Sequence, residues 1–113
     1  MVARSDSHEA EVDRIFRALG DATRRDILRR TLDGEQSVSA LAAGYEMSFA
    51  AVQKHVAVLE AAELIVKRAE GRERLVRADP ETIAKAQRLL TEYEQLWRSR
   101  IDRLDELLAE DDT

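Results

Sequence analysis

The sequence predicts a mostly α-helical domain with one β-hairpin. Three observations carry that expectation. Apolar residues recur at helical spacing in four successive runs before Leu64, the period then shortens to strand-like runs on either side of Gly71, and a long helical run follows Pro80. A chain of 113 residues suits a single domain with one modest core.

Up to residue 8 the sequence is polar, and we expect a flexible N-terminus there. From Glu9 the residues Val12, Ile15, Phe16 and Leu19 keep helical spacing, and Gly20 stops the first helix. Asp21 can cap a second helix with Ile27, Leu28 and Leu32 on its inner face, ending near Asp33-Gly34. Ser37 is placed to cap a short helix from Val38 to Ala43, with Val38, Leu41 and Ala42 inward. After the turn Gly44-Tyr45-Glu46, Ser48 caps a fourth helix running to about Ala62, with Val52, Val56 and Leu59 as its buried stripe.

Leu64 to Ala69 and Arg72 to Ala78 then read as two strands separated by Glu70-Gly71. Pro80 can open the last helix, because the first helical position needs no N–H. The domain is thus expected over residues 9–109, with a long helix at 80–109 and an acidic tail at 110–113. Two helices joined by a turn of about four residues, followed directly by a hairpin, make a winged helix-turn-helix.

The chain has no cysteine, which removes disulfides, thiolate catalysis and cysteine metal sites, and agrees with a reducing cytoplasm. No run approaches the roughly 18 apolar residues of a membrane span, and Met1 to Glu11 lacks the pattern of a signal peptide. A cytoplasmic protein is the expectation. No nucleophile–base pair or phosphate loop is legible, so the chain does not read as an enzyme.

Net charge is −5, which taken alone opposes a nucleic-acid partner. The charge is unevenly spread. Residues 1–11 are net −2, residues 12–79 net +1 and residues 80–113 net −4, while within 64–78 Lys67, Arg68, Arg72, Arg74 and Arg77 outnumber Glu70 and Glu73 by three. The field near a contact, not the sum, decides attraction.

The outward face of the fourth helix supplies Ser48, Gln53 and Lys54 among the small residues Ala50, Ala51 and Ala57, so the helix could approach a groove floor closely. Gln53 suits adenine, and Lys54 suits guanine or phosphate; the alternative for both is ordinary surface polarity. Phe49 either closes the core as a staple or packs on a thymine methyl. His55, beside the buried stripe, is read as a partly buried structural residue before a base contact.

The stretch from Leu19 to Leu28 (LGDATRRDIL) resembles the second-helix signature of the ArsR/SmtB repressor family. Val38 to Leu41 resembles its supporting helix, Met47 to Glu60 its recognition helix, and Leu64 to Arg68 with Glu70 to Arg74 its wing. The resemblance spans roughly residues 12–79 and implies a symmetric dimer that represses a promoter and releases it on a signal. It implies that Ser48, Phe49, Ala50, Gln53 and Lys54, with His55 beside them, meet the major groove of double-stranded DNA. Arg68, Arg72 and Arg74 would meet phosphates or the minor groove.

There are departures from the family pattern. The supporting helix lacks a cysteine, the last helix lacks histidine, and the two histidines are His8 and His55. The usual metal sites are therefore missing, no cofactor is implied, and the chain looks like a metal-free branch. Asp102, Asp105 and Glu106 read as a solvated face rather than a cation site. Glu63 stands where the family usually has glycine, at a cost of about 1 kcal/mol if the backbone turns left-handed there.

Residues 81–109 would span about 43 Å as a helix. Ile83, Ala86, Leu90, Tyr93, Trp97, Ile101, Leu104 and Leu108 alternate three and four apart, a seam that Leu89, Leu96 and Leu107 widen beyond what one small domain can cover. A homodimer is expected through Leu90, Tyr93, Trp97, Ile101, Leu104 and Leu108 together with Val12, Ile15 and Phe16 of the first helix. Control by a small-molecule effector, by protein level or by a partner, rather than by a metal, is the expectation. The rival reading is a winged-helix module that binds only protein.

Overall fold

The computed structural model describes the backbone of residues 2–111 and the side chains of residues 8–110. Its elements are α1 (Val2–Leu19), α2 (Ala22–Asp33), β1 (Gln36–Ser37), α3 (Val38–Ala43), α4 (Phe49–Ala61), β2 (Ile65–Glu70), β3 (Glu73–Ala78) and α5 (Pro80–Asp111). They divide into two compact units, Met1–Ile83 and Ala84–Thr113, the second being the body of α5.

Capping sets the helix boundaries of the first unit. The Asp21 carboxylate accepts the Arg24 amide at 3.0 Å, Ser37 Oγ accepts that of Ala40 at 3.0 Å, and Ser48 Oγ accepts that of Ala51 at 3.1 Å. Each side chain satisfies an amide that has no acceptor within its own helix. Asp79 does the same for α5 by accepting the Glu81 amide at 3.0 Å, which leaves Pro80 in the first helical position.

The core is aliphatic. Ile15 and Ala18 of α1, Ile27 of α2, Leu41 of α3, Val52, Val56 and Leu59 of α4, and Leu64, Ile65 and Val76 of the hairpin are all buried. The sheet order is β1-β3-β2, antiparallel throughout, with Gln36 opposite Val76 and Lys67 opposite Val76 on the other side. Ile65, Val76 and Ala78 give the sheet its core face by simple alternation.

Several expectations need correction. Helix α1 starts at Val2, not Glu9: nothing between Val2 and Glu9 is a helix breaker, so a helix nucleated by the apolar run propagates backwards one residue at a time. Ile15, expected at a subunit interface, is 3% exposed and belongs to the chain's own core, while Val12 and Phe16 are half-buried. Leu32, expected inside, is exposed, and Thr31 is buried in its place. The Thr31 hydroxyl donates back to the Ile27 and Leu28 carbonyls at 3.0 and 2.9 Å, so burial leaves no polar atom unsatisfied.

The hairpin loop is Gly71-Arg72, one residue later than the sequence suggests, with Gly71 at φ 61° in the first loop position. That conformation favours glycine, as in a type II′ hairpin turn. Strand β1 was not expected; two residues are too few to show a period. Helix α5 runs on through Glu110 to Asp111, so the first two residues of the expected acidic tail are helical, and residues 112–113 lie outside the described residues.

Candidate nucleic-acid interface

The α3–turn–α4 corner is held by α2. Tyr45, in the turn, donates its hydroxyl to Asp26 at 2.5 Å, and the Arg30 guanidinium lies 5.3 Å from the Tyr45 ring centre. Burial and the Asp26 bond both push the Tyr45 phenol above its ordinary value. Arg30 also donates to the carbonyls of Leu41 and Ala40, both at 3.2 Å, in the last turn of α3. A Cβ on Gly44 would sit 2.6 Å from Arg30 Nη1, which is why a residue without one serves there.

A second junction fixes α4 from the other side. Arg24 donates to the carbonyls of Ala18 and Arg17 at the end of α1, both at 2.9 Å, and its Nη1 lies 3.2 Å from His55 Nδ1 on α4. A guanidinium can only donate, so in this contact His55 Nδ1 is the acceptor. His55 is half-buried and also lies 3.9 Å from Asp21. The Arg24 amide bonded to Asp21, with the Arg24 charge beside it, holds that carboxyl below its ordinary value despite an opposing desolvation effect. The structure thus places His55 at a helix junction, as the partly buried reading of it expects.

The buried stripe of α4 leaves Phe49, Ala50, Gln53, Lys54 and Ala57 on its exposed side. Phe49 is 48% exposed, so it does not close the core as a staple. Ser48 is exposed at the helix start, although its hydroxyl serves the cap. Phe49 and Gln53 form one wall of a cleft of about 320 Å³, with Val38 and Ser39 of α3 and Val56 of α4 also contributing. The wing forms the other wall with Lys67, Arg72, Glu73 and Arg74.

Alternation along the strands sorts the wing cations by face. Lys67 and Arg74 share the face of Ile65 and Val76 and so turn toward α4, whereas Arg68 and Arg77 share the opposite face with Val66 and Leu75. Arg68 reaches across the sheet to Glu35, donating from Nε at 2.9 Å and from Nη2 at 2.7 Å, and Nη2 also lies 3.1 Å from Glu70. The Arg68 bonds hold the Glu35 carboxyl below its ordinary value. Arg72 and Arg74 make no ion pair among the described residues.

The sequence reading grouped Phe49, Gln53, Arg68, Arg72 and Arg74, and of these all but Arg68 line one cleft. It overlooked Lys67, which is 3.4 Å from Glu60. Counting in twos from the buried Ile65 would have found it.

A helix-turn-helix domain family matches residues 14–68. The HTH-type transcriptional regulator Rv2034 of Mycobacterium tuberculosis is 36% identical over 85 residues, covering 75% of this chain and 77% of that protein. The ArsR-like transcriptional regulator from Rhodococcus sp. RHA1 is 32% identical and superposes with a TM-score of 0.79 over 89% of this chain and 95% of that one. The chain belongs to the ArsR family. It is a transcriptional regulator with a winged helix-turn-helix DNA-binding domain, and the family is not one of enzymes. The homodimeric winged helix-turn-helix domain of Mycobacterium bovis shares the fold at 21% identity, with a TM-score of 0.65 over 91% of this chain and 93% of that one. Among the described residues no helix is long and apolar enough to cross a membrane.

Proposed function

We propose that two copies of this ArsR-family chain bind an inverted-repeat operator in the cytoplasm and act as a repressor. The observation that carries this reading is the cleft with Phe49 and Gln53 on α4 facing Lys67, Arg72 and Arg74 on the wing. In a winged helix the recognition helix enters the major groove beside a phosphate strand that the wing flanks. Gln53 would bond an adenine edge, Phe49 would cover a thymine methyl, and Ala50 and Ala57 would let the helix approach closely. Lys54, Lys67, Arg72 and Arg74 would meet phosphates. The amides of Ser48's first turn, lacking intrahelical acceptors, would add to that attraction. His55 orients α4 through Arg24 rather than reading a base.

The α5 surface supports pairing. Trp97 is 60% exposed, Leu90, Tyr93, Leu104 and Leu108 are each more than half exposed, and Ile101 is 40% exposed. So long an apolar stripe on a free helix marks an interaction surface. The M. bovis relative is homodimeric, and a second copy of α5 is the occupant we infer here. Val12 and Phe16, half-buried on α1, remain available to extend the contact.

Release by an organic effector, rather than a metal, rests on the donor set: there is no cysteine, and α5 has no histidine. Metal titration followed by native mass spectrometry tests this, and stoichiometric zinc binding that releases DNA would overturn it. Fluorescence anisotropy with duplex DNA from upstream of the gene tests the main reading. Nanomolar, salt-sensitive binding that is lost in Gln53→Ala/Lys54→Ala is the expected result. No binding at any salt would replace it with a winged-helix module that binds protein.

A further inference from the structure

Three wing arginines invite the same reading from the sequence, yet their surroundings differ. Arg72 and Arg74 border the cleft beside α4. Arg68 lies on the other face of the wing, where the Nε–Nη2 edge of its guanidinium is occupied: Nε and Nη2 bond the two Glu35 oxygens at 2.9 and 2.7 Å, and Nη2 is 3.1 Å from Glu70.

We propose that Arg68 is a positioning residue, not a phosphate contact, and that the Glu35–Arg68 pair is a strut that sets the angle of the wing. Glu35 directly precedes β1, and Arg68 stands on β2, the opposite edge of the three-stranded sheet. Their bond therefore spans the central strand β3 and ties the base of the wing to the turn after α2. Paired in register, Arg68 sits opposite Leu75, and Leu75 sits opposite Ser37; Glu35 is two residues before Ser37, so the guanidinium crosses the sheet on a diagonal. A bidentate arginine–carboxylate pair fixes direction as well as distance, which a single-point contact does not.

The described pairing of β1 with β3 stops at Leu75, so from there to the Gly71-Arg72 loop the strut is the tie from the wing to the turn after α2. Lys67 and Arg74 ride on β2 and β3, so the tilt of the wing decides whether they can reach the phosphates beside α4. Arg68 acts on DNA through them. The charge bookkeeping agrees, since Glu35 and Glu70 offset the charge of Arg68 and leave little attraction for a phosphate.

The inference rests on the DNA-binding reading above, and Glu35→Gln separates it from the alternative by sign. The probe is a duplex selected by the wild-type protein from a random-sequence pool, with affinity measured against salt for wild type, Glu35→Gln, Arg68→Ala and Arg74→Ala. If Arg68 is a strut, Glu35→Gln and Arg68→Ala each weaken binding by about two- to five-fold, the range expected of an exposed ion pair. Their salt slopes stay at the wild-type value, while Arg74→Ala flattens the slope by about 0.9 per wing.

If Arg68 instead contacts phosphate, Arg68→Ala flattens the slope as Arg74→Ala does, and Glu35→Gln frees a cation and tightens binding. Either of those results overturns the proposal, as does unchanged affinity in both variants. Hydrogen exchange on the free protein keeps the two readings apart. Faster exchange of β2 and β3 amides in Glu35→Gln supports the strut even if no duplex is bound, and equal exchange sinks it.

Discussion

At Glu63 the backbone is left-handed, φ 61°, and the surrounding bonds explain why it stays so. The Leu64 amide donates to the Leu59 carbonyl at 3.0 Å and the Glu63 amide to the Glu60 carbonyl at 2.9 Å. That pair of bonds is a Schellman motif, completed by Leu59 and Leu64, both fully buried. The motif favours glycine at this position, so Glu63→Gly should raise stability by about 0.5–1 kcal/mol, read as a higher midpoint in urea. Asp21 gives a second residue-level prediction. Its carboxyl is held below the ordinary value of 3.8, so its contribution is complete above about that pH and is lost as pH falls through the lower folded value. Asp21→Asn keeps a capping side chain but cannot titrate. The difference in melting temperature between wild type and this variant should therefore narrow in acid below pH 3.8.

At the scale of elements, the helix we propose to face DNA depends on how its start is set. Ser48 caps α4 with the bond to Ala51, and Phe49 projects from the same turn. Ser48→Ala should cost about 1 kcal/mol of stability and weaken DNA binding with little change in salt slope, because it loosens the helix start without removing a charge. The helices were legible in the sequence because each carries its own period and its own cap: Asp21, Ser37 and Ser48 all cap where the pattern places them. The exception on α2 is instructive. Leu32 and Thr31 lie side by side on the helix, and hydrophobicity alone favours burying Leu32. The back-bonded hydroxyl of Thr31 removes the cost that would have kept it outside. On the wing, alternation along the strands puts Arg68 and Arg74 on opposite faces, but it does not show that Glu35 lies within 3 Å of Arg68.

At the scale of the whole molecule, the exposed apolar face of α5 has to find a partner. Sedimentation velocity should show a dimer for the wild type. Trp97→Glu should shift it toward monomer and move the binding curve to higher protein concentration, since two half-sites are then no longer read together. Leu104→Arg provides a second disruption that leaves the tryptophan in place, and its fluorescence should shift to the red as Trp97 returns to water. A dimer that survives both substitutions would assign pairing to another surface.

The sequence by itself determined the order and type of the elements from α1 to α5 apart from β1, the caps, the buried stripe of α4 and its polar outer face. These are local properties, written within a few residues of where they act. Only the tertiary structure decided that Arg24 joins α1 to His55, that Tyr45 and Arg30 clamp the helix-turn-helix corner, and that Lys67 meets Glu60 and Arg68 meets Glu35. Those pairings link residues as many as 33 positions apart along the chain. No period or cap encodes such a separation; folding brings the partners together.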